Sequence, residues 1–269
     1  MTIVDLGSGP AVVIVPGIQG RWEWLRPGVE ALARGCRVIT FSLADEPSAR
    51  ARFDAAAGFS SYVDQVGEAM DAAGLDRAVI CGVSYGGLIA ASFAARHPSR
   101  TCGLVLTSAI PPSWRPDARV RFYLRAPVLL APLFCLASVR MYREIAAASS
   151  SRRQGLASAL THGANVLGHM FSPSRMARRV DLLRDQQFEQ ELSPLRLPTL
   201  VITGDAGLDR VVPVQATHEY MKLWPHAESA ILRRTGHLGS ITRPDEFARL
   251  VTRFARTASY QEENRSQVG

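Results

Sequence analysis

The sequence predicts an α/β fold: a mostly parallel sheet flanked by helices, with an inserted helical cap. Three observations predict it. Short apolar runs bounded by turn residues alternate with helical patterns, as buried parallel strands joined by crossover helices should. One such run leads through a glycine-rich turn straight into a small-residue helical segment. Between Pro111 and Leu197 the alternation stops and only helical patterns remain. Structureless loops of that length are rare in compact domains, so this stretch reads as an insertion with its own helices. Residues 1–110 and 198–256 form the expected core, 111–197 the cap, and 257–269 a polar, frayed tail.

The strands follow in order. Ala11 to Val15 ends at Pro16-Gly17, and Arg37 to Phe41 is the next. Ala78 to Val83, Gly103 to Leu106, Thr199 to Thr203 and Ser229 to Leu232 complete the set. Each is apolar on both faces, which suits a strand covered from both sides. Phe59 to Ala73 places Tyr62, Val66, Ala69 and Met70 on one helical face. Leu88 to Ala95 is small and apolar, as a helix packed against a sheet should be. Glu246 to Ala255 follows Pro244, a residue suited to a first helical turn. In the cap, helical patterns cover Val120 to Leu124, Val139 to Ala148, Gln154 to Leu167 and Ser174 to Gln187.

Composition narrows the function classes. With 47% hydrophobic and 20% charged residues, the chain of 269 has a globular balance. No apolar run reaches the ~18 residues of a membrane-spanning helix. The longest candidate, Ala126 to Val139, is interrupted by Pro127 and Pro132. No basic region precedes the first apolar run, so a secretory signal is not expected. Of the 31 basic residues only Lys222 is lysine, and no basic run interleaves with aromatics. Nucleic-acid binding is therefore not expected. The four cysteines contain no CxxC pair and read as reduced thiols of a cytoplasmic protein. Residues 111–197 hold 13 Arg against 6 acidic residues and account for the whole +7 net charge. This basic excess reads first as a solvated face. Attraction of an anionic substrate or membrane surface is the functional alternative.

The chemistry concentrates at three places. The strand Ala78–Cys81 runs into Gly82-Val83-Ser84-Tyr85-Gly86-Gly87 and then a helix. This is G-x-S-x-G in the strand–turn–helix context that forces the serine into a strained, exposed position. A serine hydroxyl needs a base to become a nucleophile. Of six histidines, His237 in Thr235-Gly236-His237-Leu238-Gly239 lies in a loop after the last strand, where a base can reach Ser84. The third member orients the imidazole and stabilises its cation. Asp205 and Asp209 both follow the strand Thr199–Thr203; Asp209, which opens Asp-Arg-Val-Val-Pro, is favoured.

These residues resemble those of the α/β-hydrolase superfamily, and the resemblance spans nearly the whole chain. It rests on the Gly82–Gly87 elbow, on Asp209 to Pro213, on Gly236-His237, and on the cap between the fourth and fifth strands. It implies a Ser–His–Asp triad in the chain order Ser84, Asp209, His237, and a helical lid. By position it also implies an oxyanion hole made by the backbone N–H groups of Ile18 and Tyr85. Many relatives carry His-Gly in the oxyanion loop, whereas this chain has Pro16-Gly17-Ile18-Gln19-Gly20 and lacks that imidazole. Trp22 and Trp24 follow at once and either pack the next helix or wall the acyl pocket, with Trp22 the candidate for the wall. Phe122, Leu129, Phe134, Met170 and Phe171 are the apolar pocket candidates from the cap.

The expected activity is that of a serine hydrolase acting on a carboxylic ester of a small, largely apolar substrate through an acyl-enzyme. Serine as nucleophile argues against the haloalkane dehalogenase and epoxide hydrolase branches. No metal or organic cofactor is needed for these steps. The partner expected is a small-molecule substrate, with no stable membrane anchor and with a homodimer left open. Lactone, thioester and carbon–carbon bond cleavage use similar parts. Cofactor-free dioxygenases, lyases and ligand receptors share the fold, because fold does not determine function.

Overall fold

The computed structural model describes residues 1–137, 142–148 and 171–268. Seven strands form one sheet: β1 (Val4–Leu6), β2 (Ala11–Val15), β3 (Arg37–Thr40), β4 (Ala78–Val83), β5 (Thr101–Thr107), β6 (Thr199–Thr203) and β7 (Glu228–Ile231). Their order is β1-β3-β2-β4-β5-β6-β7, and all neighbours run parallel except β1 and β3. Alternate strand residues feed two separate apolar layers, as a period of two requires. Val13, Val15 and Ile80 join the layer under the helices Ser60–Ala72 and Gly86–Arg96. Val12, Ile14, Val79 and Cys81 join the opposite layer, with the helices Arg26–Leu32 and Pro244–Val268. Every residue of β4 is buried, so the strand before Ser84 sits at the most enclosed place in the sheet.

The topology also decides where a site opens. From β2 the chain crosses to β3 on one side, and from β4 it crosses to β5 on the other. The two connections diverge, leaving a crevice at the carboxyl ends of β2 and β4, the usual place for a ligand in an open α/β sheet.

Several elements differ from the sequence expectation. Strand β1 has no apolar run to announce it; it is an edge strand held by register with β3 and by the Asp5–Arg37 ion pair at 2.7 Å. The helix expected over Ser174 to Gln187 ends early: Pro173–Asp181 is followed by a turn, in which Leu183 packs into the core, and a second helix, Phe188–Leu192, begins only after Gln187. The C-terminal tail is helical: Pro244–Val268 is one helix, with no glycine or further proline between Pro244 and Val268 to interrupt it. The remaining described part of the insertion holds the helices Ala118–Arg125, Ala131–Ala137 and Tyr142–Ala148. Asp117 caps the first of these, accepting from the Val120 N–H at 2.7 Å. The expected helix Gln154 to Leu167 and the pocket candidate Met170 lie outside the described residues, as does the start of Val139 to Ala148. No helix among the described residues is long and apolar enough to cross a membrane.

Candidate active site

Ser84 occupies the left-handed region with φ +55°, in the turn between β4 and the helix Gly86–Arg96. A non-glycine residue there carries strain that the surroundings must hold in place. Two backbone bonds do so: the Ser84 N–H donates to the Thr107 carbonyl and its own carbonyl accepts from Gly87, both at 2.9 Å. The flanking glycines are sterically required. A Cβ on Gly82 would lie 2.6 Å from the Gly87 Cα, and one on Gly86 would overlap the Val15 and Pro16 carbonyl oxygens. The strand therefore delivers the Ser84 hydroxyl to the crevice beside the end of β2.

His237 and Asp209 meet it there. His237 Nε2 lies 3.0 Å from Ser84 Oγ, and its Nδ1 lies 3.4 Å from Asp209 Oδ2. The second distance is beyond the usual hydrogen-bond range, and such contacts commonly tighten when substrate binds. Asp209 is buried, and its other oxygen, Oδ1, accepts from the Val211 and Val212 N–H groups at 2.9 Å each. These bonds aim the remaining oxygen at the imidazole. Asp205 is engaged elsewhere: its Oδ2 accepts from the Arg234 N–H at 2.6 Å and its Oδ1 from Arg233 at 3.3 Å. Its backbone N–H donates to the Thr235 carbonyl at 2.7 Å. Asp205 thus fastens the two loops together, while Asp209 faces the histidine.

The loop of the oxyanion candidates also closes on Ser84. A Cβ on Gly17 would stand 3.4 Å from the Ser84 Cβ, so Ile18 begins within reach of the hydroxyl. Neither the Ile18 nor the Tyr85 backbone N–H is taken up by a turn or loop hydrogen bond among the described residues.

A cavity of about 350 Å³ opens over Ser84 and His237. Phe134 and Phe171 line it, edge to face at 5.8 Å, with Tyr123 and Trp24 packed on either side of them. Among the described residues, the other apolar candidates, Trp22, Phe122 and Leu129, are not in its wall. Trp22 packs instead under the Arg26 guanidinium, 4.9 Å from the ring centre, and Trp24 lines the cavity in its place. Phe122 is 44% exposed, because the face of Ala118–Arg125 that turns inward carries Val120, Tyr123 and Leu124; Leu129, beyond that helix, is 80% exposed. Of the insertion's described arginines, Arg115 lines the cavity, while Arg119, Arg121, Arg125, Arg178, Arg184 and Arg196 are exposed.

Two residues that no motif announced reach this site from the insertion. Arg179 is fully buried against the Pro16–Gly20 loop. Glu144 is buried behind the His237 loop, where its Oε1 accepts from the Thr235 hydroxyl at 3.0 Å and the Gly236 N–H at 2.8 Å, and also from the Leu238 N–H. Its sequence signal is faint: it is the sole acidic residue between Asp117 and Asp181. Burial pushes its carboxyl above the usual carboxylate range, against the opposing pull of these donors and of nearby His237. The folded protein therefore holds the Glu144 proton more tightly than the unfolded chain. Stability is lost as pH rises from the ordinary carboxyl range to the raised one. Glutamine offers the same Oε1 acceptor without the charge. The urea midpoint of Glu144→Gln should accordingly gain on wild type across that pH window. Glu144→Ala should fall below both at every pH, by about 1–3 kcal/mol for each buried donor left unpaired. A constant difference between wild type and the glutamine variant would rule out a raised Glu144.

Residues 12–250 match the model of the alpha/beta hydrolase family. The chain is 27% identical over 266 residues to the Rhizobium rhizogenes protein provisionally designated carbamate hydrolase RutD, covering 95% of this chain and 96% of that one. It is 29% identical over 192 residues to the pimeloyl-[acyl-carrier protein] methyl ester esterase of Yersinia enterocolitica, covering 68% and 71%. The crystal structure of a bromoperoxidase from Bacillus anthracis matches with a TM-score of 0.76 at 20% identity, over 94% of each chain, a likeness of fold. With its sheet order, its elbow and a family model matched over most of its length, the chain belongs to the alpha/beta hydrolase family.

Proposed function

We propose that the protein is a serine hydrolase that cleaves carboxylic esters of small, largely apolar substrates. The observation that carries this reading is the 3.0 Å approach of His237 Nε2 to Ser84 Oγ at the floor of an apolar cavity. Ser84 Oγ attacks the ester carbonyl carbon as its proton passes to His237 Nε2. Asp209 holds the imidazole by Nδ1 and stabilises the cation that forms. The carbonyl oxygen, now an oxyanion, accepts from the Ile18 and Tyr85 N–H groups. One such donor is worth about 2.7–4 kcal/mol in the transition state. The tetrahedral species collapses, and His237 returns the proton to the departing alcohol. Water then repeats the sequence on the acyl-enzyme, giving the acid and free Ser84.

Residues 111–197 act as the cap, and Tyr123, Phe134 and Phe171 supply the apolar roof that selects the substrate. The esterase among the relatives is consistent with the ester reading. The basic excess of the cap is a solvated outer face, since Arg119, Arg121, Arg125, Arg178, Arg184 and Arg196 are exposed away from the cavity. The test is a panel of p-nitrophenyl esters, lactones and acyl thioesters at matched acyl length. Neutral esters of short to medium chain should give the highest kcat/KM. A lactone or thioester that outpaces every ester would replace the ester reading while keeping the hydrolase.

A further inference from the structure

We infer that Arg179 is the positioning residue of the oxyanion hole, taking from the cap the role of supporting the Pro16–Gly20 loop. The inference rests on the serine hydrolase reading above. Arg179 lies on the helix Pro173–Asp181 with its side chain fully enclosed. Its Nη1 donates to the Ile18 carbonyl at 2.7 Å. Its Nη2 donates to Glu46 Oε1 at 2.6 Å, and Nε and Nη2 both donate to Asp45 Oδ1. Asp45 and Glu46 are themselves 3% and 2% exposed, so three buried charges close on one another around one backbone oxygen. The same residue reaches the second donor as well: the Tyr85 hydroxyl donates to the Arg179 backbone carbonyl at 3.2 Å. One residue of the cap is thus bonded to both residues whose N–H groups would face the oxyanion.

The loop needs such an anchor. Gly17 to Gly20 is a turn closed by the Gly20 N–H donating to the Gly17 carbonyl at 2.9 Å, with Ile18 and Gln19 in its middle. The charge-assisted bond from Arg179 holds the Ile18 carbonyl, in the same residue as the N–H that would face the oxyanion, and so limits how far Ile18 can swing away from Ser84. The chain accommodates the guanidinium closely: Gly20 has φ +76°, and a Cβ there would overlap it. Ile18 is thus bracketed by the close approach of Gly17 to Ser84 on one side and by the Arg179 bond on the other.

A purely structural ion cluster and a positioning role predict different kinetics. Loss of positioning should lower kcat and leave KM for an apolar ester little changed, because the cavity wall stays intact. The experiment compares wild type, Arg179→Lys, Arg179→Met, and the triple variant Asp45→Asn/Glu46→Gln/Arg179→Met. The triple variant removes the carboxylates that a lone Arg179→Met would strand, and so keeps a folded protein available. Each is titrated at Ser84 with a fluorophosphonate, so that kcat refers to reactive sites. Each is then assayed on p-nitrophenyl butyrate and against phenylboronic acid, whose tetrahedral serine adduct needs the hole. The expected result in the triple variant is a kcat lower by about 10²-fold, the scale of one lost oxyanion donor, with boronate affinity falling alongside it. Arg179→Lys, with a single ammonium in place of the fork, should fall between this variant and wild type. A triple variant whose kcat and boronate affinity stay within about threefold of wild type would overturn the inference, since even one donor counts for far more. If wild type fails to react at Ser84 at all, the hydrolase reading fails first and takes this inference with it.

Discussion

Replacing Ser84 with alanine is expected to lower kcat/KM on the best ester by about 10⁴-fold or more, the scale seen when a triad member is removed. The fold should survive. Alanine keeps the Thr107 and Gly87 backbone bonds that hold the elbow and loses only the hydroxyl facing His237. Far-ultraviolet circular dichroism and the urea midpoint would check that the loss is chemical. Ser84→Gly sharpens the comparison, because glycine accepts φ +55° without the steric penalty of a Cβ. It should be as inactive as the alanine variant and unfold at higher urea. A Ser84→Ala protein that keeps near-native turnover would show that another nucleophile does the work.

The second large effect separates the two aspartates. Asp209→Asn should lower kcat by about 10⁴-fold, since an amide holds the imidazole in the wrong tautomer and cannot balance its charge. The asparagine Oδ1 can still accept from Val211 and Val212, so the local turn persists and the defect stays at His237. Asp205→Asn should leave turnover within about tenfold, because that carboxylate ties Arg233 and Arg234 rather than the histidine. Steady-state kinetics of the two variants side by side decide the matter. The reverse order of damage would mean that the loop rearranges to bring Asp205 onto His237.

The three side chains that meet at the candidate site were legible in the sequence because each sits in a short segment whose neighbours explain it. Ser84 has glycines at 82 and 86 where the backbone comes too close for any side chain. The glycine before His237 is needed for the same reason: a Cβ on Gly236 would stand 2.5 Å from the Asp209 backbone N. Strands β2, β4 and β6 declare themselves as apolar runs because they are covered on both faces. Strand β1 is three half-exposed residues at an edge and carries no such pattern.

The amino-acid sequence by itself determined the parallel sheet and the strand–turn–helix elbow at Ser84, and it singled out His237 and Asp209, which the structure places beside that serine. These follow from periodicity and from local steric need, which act over a few residues. The cavity wall is another matter. Tyr123 rather than Phe122, and Trp24 rather than Trp22, line it, because each residue along a helix turns the side-chain direction by about 100–120° and only packing chooses the face. The supports of the site were hidden for a stronger reason. Glu144 and Arg179 each reach across the molecule to backbone atoms, the Gly236 N–H and the Ile18 carbonyl, that any residue possesses. A contact made to the main chain leaves no mark on the identity of its partner. Only the tertiary structure, by placing the insertion over the ends of β2 and β4, brings these two charges to the groups they hold.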